Sequence, residues 1–329
     1  MYTTHISLME IKVMISKLEE IQNRRNSIAN LFLQKSEIKN KCEKKELNLK
    51  VGAVDASIIS QEFHSFDLII TKTVGAIFTY KNGKLVHNEY VPSPFPREKI
   101  NIIGSTDLME LNQIKTIIRL KEEISLAIEL GKKCDLILID GSLVPLPGDK
   151  PTSELMKIEY EKLIEKYLEM FSKYKEKIIG VVKDSRSKRF IEHYNEKYNF
   201  EIETNITDSS LLDIVLEKGE VTKEISYAKD AKTNQILKDL IPYSEEIKVC
   251  YLKAGKYDRP IRIEYFNERN EELMGLCGIN DKYTYPSILI DVDLRALMDV
   301  RDVERILKEI ELSPYVDNKL LRRNMRPFR

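Results

Sequence analysis

The chain has 329 residues, of which 42% are hydrophobic and 32% are charged, and its 53 acidic residues balance its 53 basic residues. This length holds a large core, as one elaborated domain or two small ones, and the balanced charge means that any nucleic-acid surface must be a local patch. Four widely separated cysteines form no C-x-x-C pair, which argues against a disulfide framework or a structural zinc site and favours a reducing interior.

The first region has a helical pattern. Between residues 7 and 49 apolar residues recur at roughly helical spacing, and neither Gly nor Pro occurs before Gly52. We expect one long helix or a helical hairpin, which forms an N-terminal extension over residues 1–49. Such an element either protrudes for dimerisation or partner docking, or packs on its own domain.

Three β-strands follow in the pattern. We expect a first strand over residues 51–54 with Asp55 near its end, a second between residues 68 and 80, and a third over residues 85–91. Asn82-Gly83 is a strong hairpin-turn signal between the second and the third. The pattern predicts an antiparallel group.

The middle of the chain alternates between helices and buried strands. Helices are predicted at 106–131 and 153–176, and fully apolar strands at 136–139 and 178–182. This β–α–β order favours parallel pairing. Further on we expect paired strands at 247–253 and 261–266, a strand-like approach to Asp291, a helix at 294–311, and a basic tail at 312–329. The fold class is therefore α/β, with a mixed central sheet and flanking helices.

Two strand tips share an Asp-small-Ser pattern, namely Asp55-Ala56-Ser57 and Asp140-Gly141-Ser142. An ionised Asp in an apolar strand is costly unless a metal ion, an N–H cluster or an Arg compensates it. Each Asp could instead cap the turn that follows its strand. The recurrence of the pattern favours two carboxylates that converge on a divalent cation.

Other carboxylates and cations accompany these tips. Glu123 lies on the helix that precedes the second tip, and Asp291 lies near the C-terminus. Carboxylate oxygens suit magnesium or manganese better than zinc, and such a set fits metal-assisted phosphodiester hydrolysis. The run at 183–189 places four cations beyond a strand end, where α/β sheets bind ligands, although a solvated loop gives the same pattern. The four cations are Lys183, Arg186, Lys188 and Arg189, and they are candidates for contacts with DNA phosphates.

Absent motifs narrow the alternatives. The sequence contains no G-x-x-x-x-G-K-[ST] or G-x-G-x-x-G loop, which disfavours an ATPase or a dinucleotide enzyme. The four histidines show no H-x-x-x-H spacing, so a zinc hydrolase is unsupported. Glu10 and Lys12 interrupt the first apolar stretch, and no run is long enough to span a membrane. We expect a cytoplasmic protein without membrane contact.

Taken together, the motifs resemble the NurA nuclease family. In chain order the matching pieces are Ala53-Val54-Asp55-Ala56-Ser57, Arg119-x-x-x-Glu123, Leu138-Ile139-Asp140-Gly141-Ser142-Leu143, Gly180-Val181-Val182-Lys183-Asp184-Ser185, Asp208-Ser209-Ser210-Leu211-Leu212 with Gly219-Glu220, Ile261-Arg262-Ile263-Glu264, and Tyr285-Pro286 leading to Asp291. The resemblance implies an RNase H-like core over residues 50–311 and a nuclease that depends on Mn²⁺, or on Mg²⁺. It also implies 5′→3′ exonuclease and single-strand endonuclease activity, a homodimer, and a hexameric HerA-type ATPase partner in resection of DNA double-strand breaks.

By position, the resemblance assigns five catalytic residues. Asp55, Glu123 and Asp140 would be metal ligands, and Asp291 would stand where the family has a C-terminal His or Asp ligand. Lys183 would contact the scissile phosphate. If residues 291–293 are a strand, Asp293 points to the same side and competes for this role. The family commonly has Gly at position 56, whereas Ala does not readily adopt a positive φ.

Two other functions are compatible with the same residues. A non-catalytic scaffold on this fold would bind DNA or a translocase through the N-terminal helix and the basic tail. An RNA-directed nuclease would use the same chemistry, although the sequence has no aromatic RNP-like motif.

Overall fold

The structure, a computed structural model, describes residues 8–104, 106–151, 153–183, 185–200, 202, 205–278 and 281–311. The predicted basic tail at 312–329 lies outside these residues. None of the helices in the described ranges combines the length and apolar character that crossing a membrane requires.

A single mixed sheet forms the centre of the fold. Its strands are β1 (Lys39–Lys41), β2 (Lys50–Glu62), β3 (Phe66–Lys81), β4 (Lys84–Val91), β5 (Lys99–Gly104), β6 (Leu136–Asp140), β7 (Ile178–Val182), β8 (Glu220–Thr222), β9 (Ile225–Ser226), β10 (Lys248–Lys253) and β11 (Ile261–Tyr265). The α-helices are α1 (Leu8–Leu33), α2 (Leu108–Gly131), α3 (Glu154–Tyr174), α4 (Arg189–Tyr198), α5 (Asp208–Val215), α6 (Asn270–Leu276), α7 (Ser287–Ala296) and α8 (Val300–Glu311).

The strand order combines antiparallel and parallel pairs in one sheet. Across the described residues the order is β1-β8-β10-β11-β7-β6-β2-β3-β4, with β5 on β3 and β9 on β10. β2, β3 and β4 are antiparallel, while β6 pairs parallel to both β2 and β7. Three antiparallel strands followed by two parallel ones are the arrangement expected of an RNase H-like core. The prediction of an α/β fold with a mixed sheet is confirmed.

Helices cover both faces of this sheet, because its strands alternate apolar side chains between two cores. On β2, Val54 belongs to the core that includes residues of α2, α3, α4 and α5, whereas Val51 and Ala53 belong to the core that includes residues of α6 and α7. The Asn82-Gly83 turn is confirmed, since both residues have positive φ, 49° and 70°. Because successive side chains of a strand point to opposite faces, the sheet is covered by helices on both sides and the fold has three layers.

Several boundaries differ from prediction. The N-terminal helix ends at Leu33, and the following segment forms β1, which pairs with β8 and so enters the sheet. Residues 68–70 and 74–80 are one strand, β3. β2 pairs with β3 continuously from Lys50 to Glu62, so Asp55 lies inside its strand rather than near its end. The long ladder with β3 overrides the turn preference of the Asp-small-Ser pattern.

Candidate metal centre

Two neighbouring strands bring Asp55 and Asp140 together. β2 and β6 are parallel, with Val54 opposite Ile139, so the next residue on each strand is an aspartate. Both aspartates lie on the α7 side of the sheet, since their cross-strand partners, Val74 and Val181, belong to the core on that side. The predicted convergence of two strand carboxylates is what the structure shows.

A third carboxylate comes from α7. Oxygens of Asp55, Asp140 and Asp293 all lie within 4.8 Å of one another, and each residue is partly buried. The hydroxyl of Ser57 donates to the carbonyl of Ala296 at 2.5 Å, which fixes the C-terminal end of α7 on β2. This contact holds Asp293 above the two strand aspartates.

Asp140 is fixed by two further side chains. The Tyr285 hydroxyl lies 2.9 Å from Oδ1, and Nζ of Lys183 lies 3.1 Å from Oδ2. Burial and the charge of Asp140 raise the pKa of Tyr285 well above its ordinary value, so the phenol remains a hydrogen-bond donor. Burial lowers the pKa of Lys183, but the charge and hydrogen bond of Asp140 outweigh it and raise the pKa overall. Lys183 is therefore a cation beside the carboxylates.

The crowding of these acids favours a bound cation. Burial and the charges of Asp140 and Asp293 raise the pKa of Asp55 to about 6. Like charges this close disfavour ionisation unless a positive charge joins them. Three carboxylates with only oxygen donors fit magnesium or manganese, the hard cations that the sequence predicts.

Glu123 lies apart from these three carboxylates. It is 2% exposed and its Oε1 accepts from NH1 of Arg119 at 2.7 Å. Its helix, α2, packs on the sheet face opposite α7. Burial raises the pKa of Glu123 to about 8 against the opposing charge of Arg119, and the charges of Asp55 and Asp140 add to the rise. Glu123 is close enough to feel both aspartates, yet it is not part of the group of three.

The structure places Asp293, rather than Asp291, in this group. Residues 287–296 are helical, so the expectation that the two aspartates share one side of a strand is wrong. Neighbours two apart on a helix differ by about 200° in direction. Asp291 Oδ2 instead accepts from Nε of Arg295 at 3.0 Å.

The predicted DNA contacts all follow β7, and only Lys183 among them contacts a carboxylate of the group in the described residues. Beyond Lys183, the side chain of Arg186 is exposed, and Nζ of Lys188 lies 3.4 Å from the Asn205 side chain. Arg189 begins α4 and places its guanidinium 3.8 Å from the ring centre of Tyr227. The prediction that these residues bind DNA is not tested by their positions, but all four follow β7.

The loop after Asp140 is anchored from β11. The fully buried Glu264 accepts from the Ser142 hydroxyl and from the backbone N–H of Leu143, both at 2.9 Å. Glu264 also pairs with the buried guanidinium of Arg262, which lies 3.5 Å from the Ser185 hydroxyl. One ion pair thus contacts the loops that carry Asp140 and Lys183.

Sequence reasoning assigned no role to Tyr285 and gave Asp293 only as a competitor. A signal for Asp293 was present, because the apolar residues Ile288, Leu289, Val292 and Ala296 have helical spacing. On such a helix, Asp293 follows Leu289 by one turn and borders the buried side. Tyr285 belongs to a motif of the resemblance, but no local pattern predicts its contact with Asp140, which spans 145 positions.

Known proteins share both the sequence pattern and the fold. The family model described as NurA domain matches residues 49–296. A crystal structure of the NurA nuclease from Sulfolobus solfataricus is 17% identical, covers 90% of this chain and 95% of its own, and gives a TM-score of 0.57. A crystal structure of NurA is 12% identical, with coverages of 96% and 100% and a TM-score of 0.63.

A third structure, NurA bound to dAMP and manganese, is 11% identical, with coverages of 97% and 99% and a TM-score of 0.61. At these identities the structures show the shared fold alone. No curated protein matches the sequence. Because the family model spans most of the chain and includes Asp55, Asp140 and Asp293, this chain belongs to the NurA nuclease family.

Proposed function

We propose that this chain is a divalent-metal-dependent nuclease that hydrolyses phosphodiester bonds in DNA. The observation that carries the proposal is the group of Asp55, Asp140 and Asp293, whose oxygens lie within 4.8 Å of one another beside Lys183. The structure of a NurA bound to dAMP and manganese supports Mn²⁺ as the cofactor, with Mg²⁺ as the chemical alternative.

Each residue of the site has a distinct task in this proposal. Asp55, Asp140 and Asp293 hold the ion, which when bound polarises the phosphodiester and activates water. Tyr285 orients the Asp140 carboxylate by its 2.9 Å hydrogen bond. Lys183 contacts the scissile phosphate and offsets charge that develops on its oxygens. Glu123, a predicted ligand, lies on the opposite face of the sheet, where it pairs with Arg119.

The cations after β7 hold the DNA strand in this proposal. Lys183, Arg186, Lys188 and Arg189 lead from the carboxylates to the start of α4. Lys and Arg bind phosphates without reading sequence, which suits a nuclease that acts on many sequences. Membership of this family supports DNA, rather than RNA, as the substrate.

The finer activities rest on family membership. We propose 5′→3′ exonuclease and single-strand endonuclease activity in the cytoplasm, a homodimer, and a HerA-type hexameric ATPase partner in end resection. The N-terminal extension supports docking, because Met14, Leu18 and Ile21 on α1 are 58%, 63% and 58% exposed.

A labelled-strand assay tests the proposed chemistry. Wild-type protein is expected to degrade 5′-labelled single-stranded DNA with Mn²⁺ and to lose activity in EDTA. Asp55→Asn is expected to lower the rate about a thousand-fold or more, because losing a ligand removes several kcal/mol of charge stabilisation. Equal digestion by both proteins would contradict the site.

The matched control is Asp135→Asn. Asp135 is exposed at the other end of β6 and accepts from the backbone N–H of Lys50 at 2.8 Å. This variant is expected to keep wild-type activity. A wild-type protein that binds DNA but shows no metal-dependent cleavage would favour the scaffold function. Faster cleavage of an RNA strand of the same sequence would favour the RNA-directed function.

A further inference from the structure

A cavity lies at the start of α4, on the face of the sheet opposite α7. Its volume is about 600 Å³, which is in the range of small-molecule sites. The lining residues are Arg189, Glu192, His193, Ser226, Tyr227, Ala228, Lys229 and Asn234. Lys229 pairs with Glu196, whereas Arg189 makes no ion pair among the residues that the structure describes.

Tyr227 connects this cavity to the loop that follows Asp140. Its hydroxyl lies 3.3 Å from Oγ of Ser142, which is two residues beyond Asp140. Two residues of extended chain span at most about 7 Å. The cavity is therefore within reach of a nucleotide that is joined to a phosphate held at the carboxylate group.

Arg189 lies over an aromatic ring at the wall of this cavity. Its guanidinium lies 3.8 Å from the ring centre of the buried Tyr227, and Arg262 approaches the same ring at 5.2 Å. A guanidinium stacked on an aromatic ring is preorganised and keeps its charge. Unpaired bases stack on aromatic rings and on arginine planes in single-strand recognition.

We propose that this cavity binds the unpaired nucleotide next to the scissile phosphodiester of a single DNA strand, with its base stacked on Arg189. The inference rests on the proposed function and adds a substrate preference to it. A base inside a duplex is stacked on both faces, so it reaches Arg189 only after it is unstacked. The cavity thus favours single strands and frayed ends over intact duplex.

An abasic scan tests this proposal. Oligonucleotides that lack one base at successive positions around the cut are compared with the complete strand by kcat/KM. For wild-type protein, one flanking position is expected to lower kcat/KM about ten-fold, the typical effect of losing one stacked base. Arg189→Gln and Arg189→Lys are expected to cleave the complete strand more slowly and to lose the abasic effect, because neither side chain offers a planar cation.

The control variant is Lys132→Gln, which removes one exposed charge before β6, at the end of this strand opposite Asp140. It is expected to keep the wild-type abasic pattern. The proposal is overturned if no flanking position affects wild-type protein, if Arg189→Gln keeps the full abasic effect, or if Arg189→Lys behaves as wild type.

Binding separates this proposal from the nuclease proposal. The same strands are titrated against Asp55→Asn protein, with and without Arg189→Gln, and followed by fluorescence anisotropy. An abasic effect on binding that disappears with Arg189→Gln supports the cavity even if wild-type protein cleaves nothing. Cleavage that depends on Asp55 without any abasic effect supports the nuclease and contradicts the cavity.

Discussion

The two aspartates on the sheet share one sequence pattern but occupy different backbones. Asp55 lies inside β2, where Ala56 continues the ladder opposite Thr73. Asp140 ends β6, and Gly141 turns the chain with a φ of 121°. The residue after each aspartate follows from this difference. Ala56 departs from the common family pattern at a position where an extended strand needs no positive φ.

The serines of the two patterns recruit different elements. Ser57 donates to Ala296 and so fixes α7, which supplies Asp293. Ser142 donates to Glu264 of β11 and lies next to Tyr227, which supports Arg189. The β2 pattern therefore completes the carboxylate group, whereas the β6 pattern connects that group to the neighbouring cavity. A repeated motif in one sequence has two structural tasks.

The largest expected effect concerns the carboxylate that α7 adds. Asp293→Asn is expected to weaken Mn²⁺ binding by at least about ten-fold and to slow DNA cleavage, because one of three charged ligands is lost. Isothermal titration with Mn²⁺ measures the affinity. Asp291→Asn is the matched control, since Asp291 pairs with Arg295 on another side of the same helix. Equal losses in the two variants would contradict the assignment of Asp293.

Much of the fold could be predicted because local periodicity carries it. β7 occupies the predicted residues 178–182, and α2 and α3 lie within two residues of their predicted limits. The long β2 could not be predicted, because its second half alternates weakly and is held by pairing with β3. α1 ends at Leu33 although no breaker follows, since β1 finds its partner, β8, almost two hundred residues later.

The candidate site was predicted from apolar runs that precede polar residues. Asp55, Asp140 and Lys183 were predicted because each follows apolar strand residues, although Asp55 lies inside β2. Asp291 was preferred to Asp293 because residues 287–296 were not recognised as a helix. Tyr227 was missed, since only tertiary contacts bring it to Ser142 and Arg189.

Exchanging Gly and Ala at positions 141 and 56 tests the difference between the two backbones directly. Gly141→Ala is expected to destabilise the fold by about 1–3 kcal/mol, because Ala must adopt an unfavourable φ. An added Cβ there meets nothing within 4 Å, so crowding does not contribute. Ala56→Gly is expected to cost about 0.5–1 kcal/mol, the entropic penalty of Gly in a strand. Urea unfolding measures both changes.

A larger loss of stability in Ala56→Gly than in Gly141→Ala would contradict the argument from backbone conformation. Gly141→Ala is also expected to weaken Mn²⁺ binding, because the turn begins directly after Asp140. Ala56→Gly is expected to leave the Mn²⁺ affinity close to wild type, because β3 keeps β2 extended on both sides of that position. Isothermal titration of the two variants distinguishes a local backbone effect from a general loss of stability.

The smallest expected effect is a dependence of stability on pH in metal-free protein. The pKa of Asp55 is raised to about 6 and that of Glu123 to about 8, both above their unfolded values. Folded protein therefore holds these protons more tightly than unfolded protein does. The stabilisation is complete below about pH 4 and is lost as the pH rises through 6 and then 8. In EDTA we expect Tm to fall by a few degrees between pH 5 and 8.

The Asp55→Asn variant tests the origin of this pH dependence, because it removes the group that titrates near pH 6. The variant is expected to show a flatter profile between pH 5 and 7 and to retain the decline that Glu123 causes at higher pH. Saturating Mn²⁺ is expected to raise the wild-type Tm most at the alkaline end, where the carboxylates are ionised and free to bind it. A wild-type Tm that rises with pH in EDTA would contradict the raised pKa values of Asp55 and Glu123, because burial and acidic neighbours make the ionisation of both groups unfavourable.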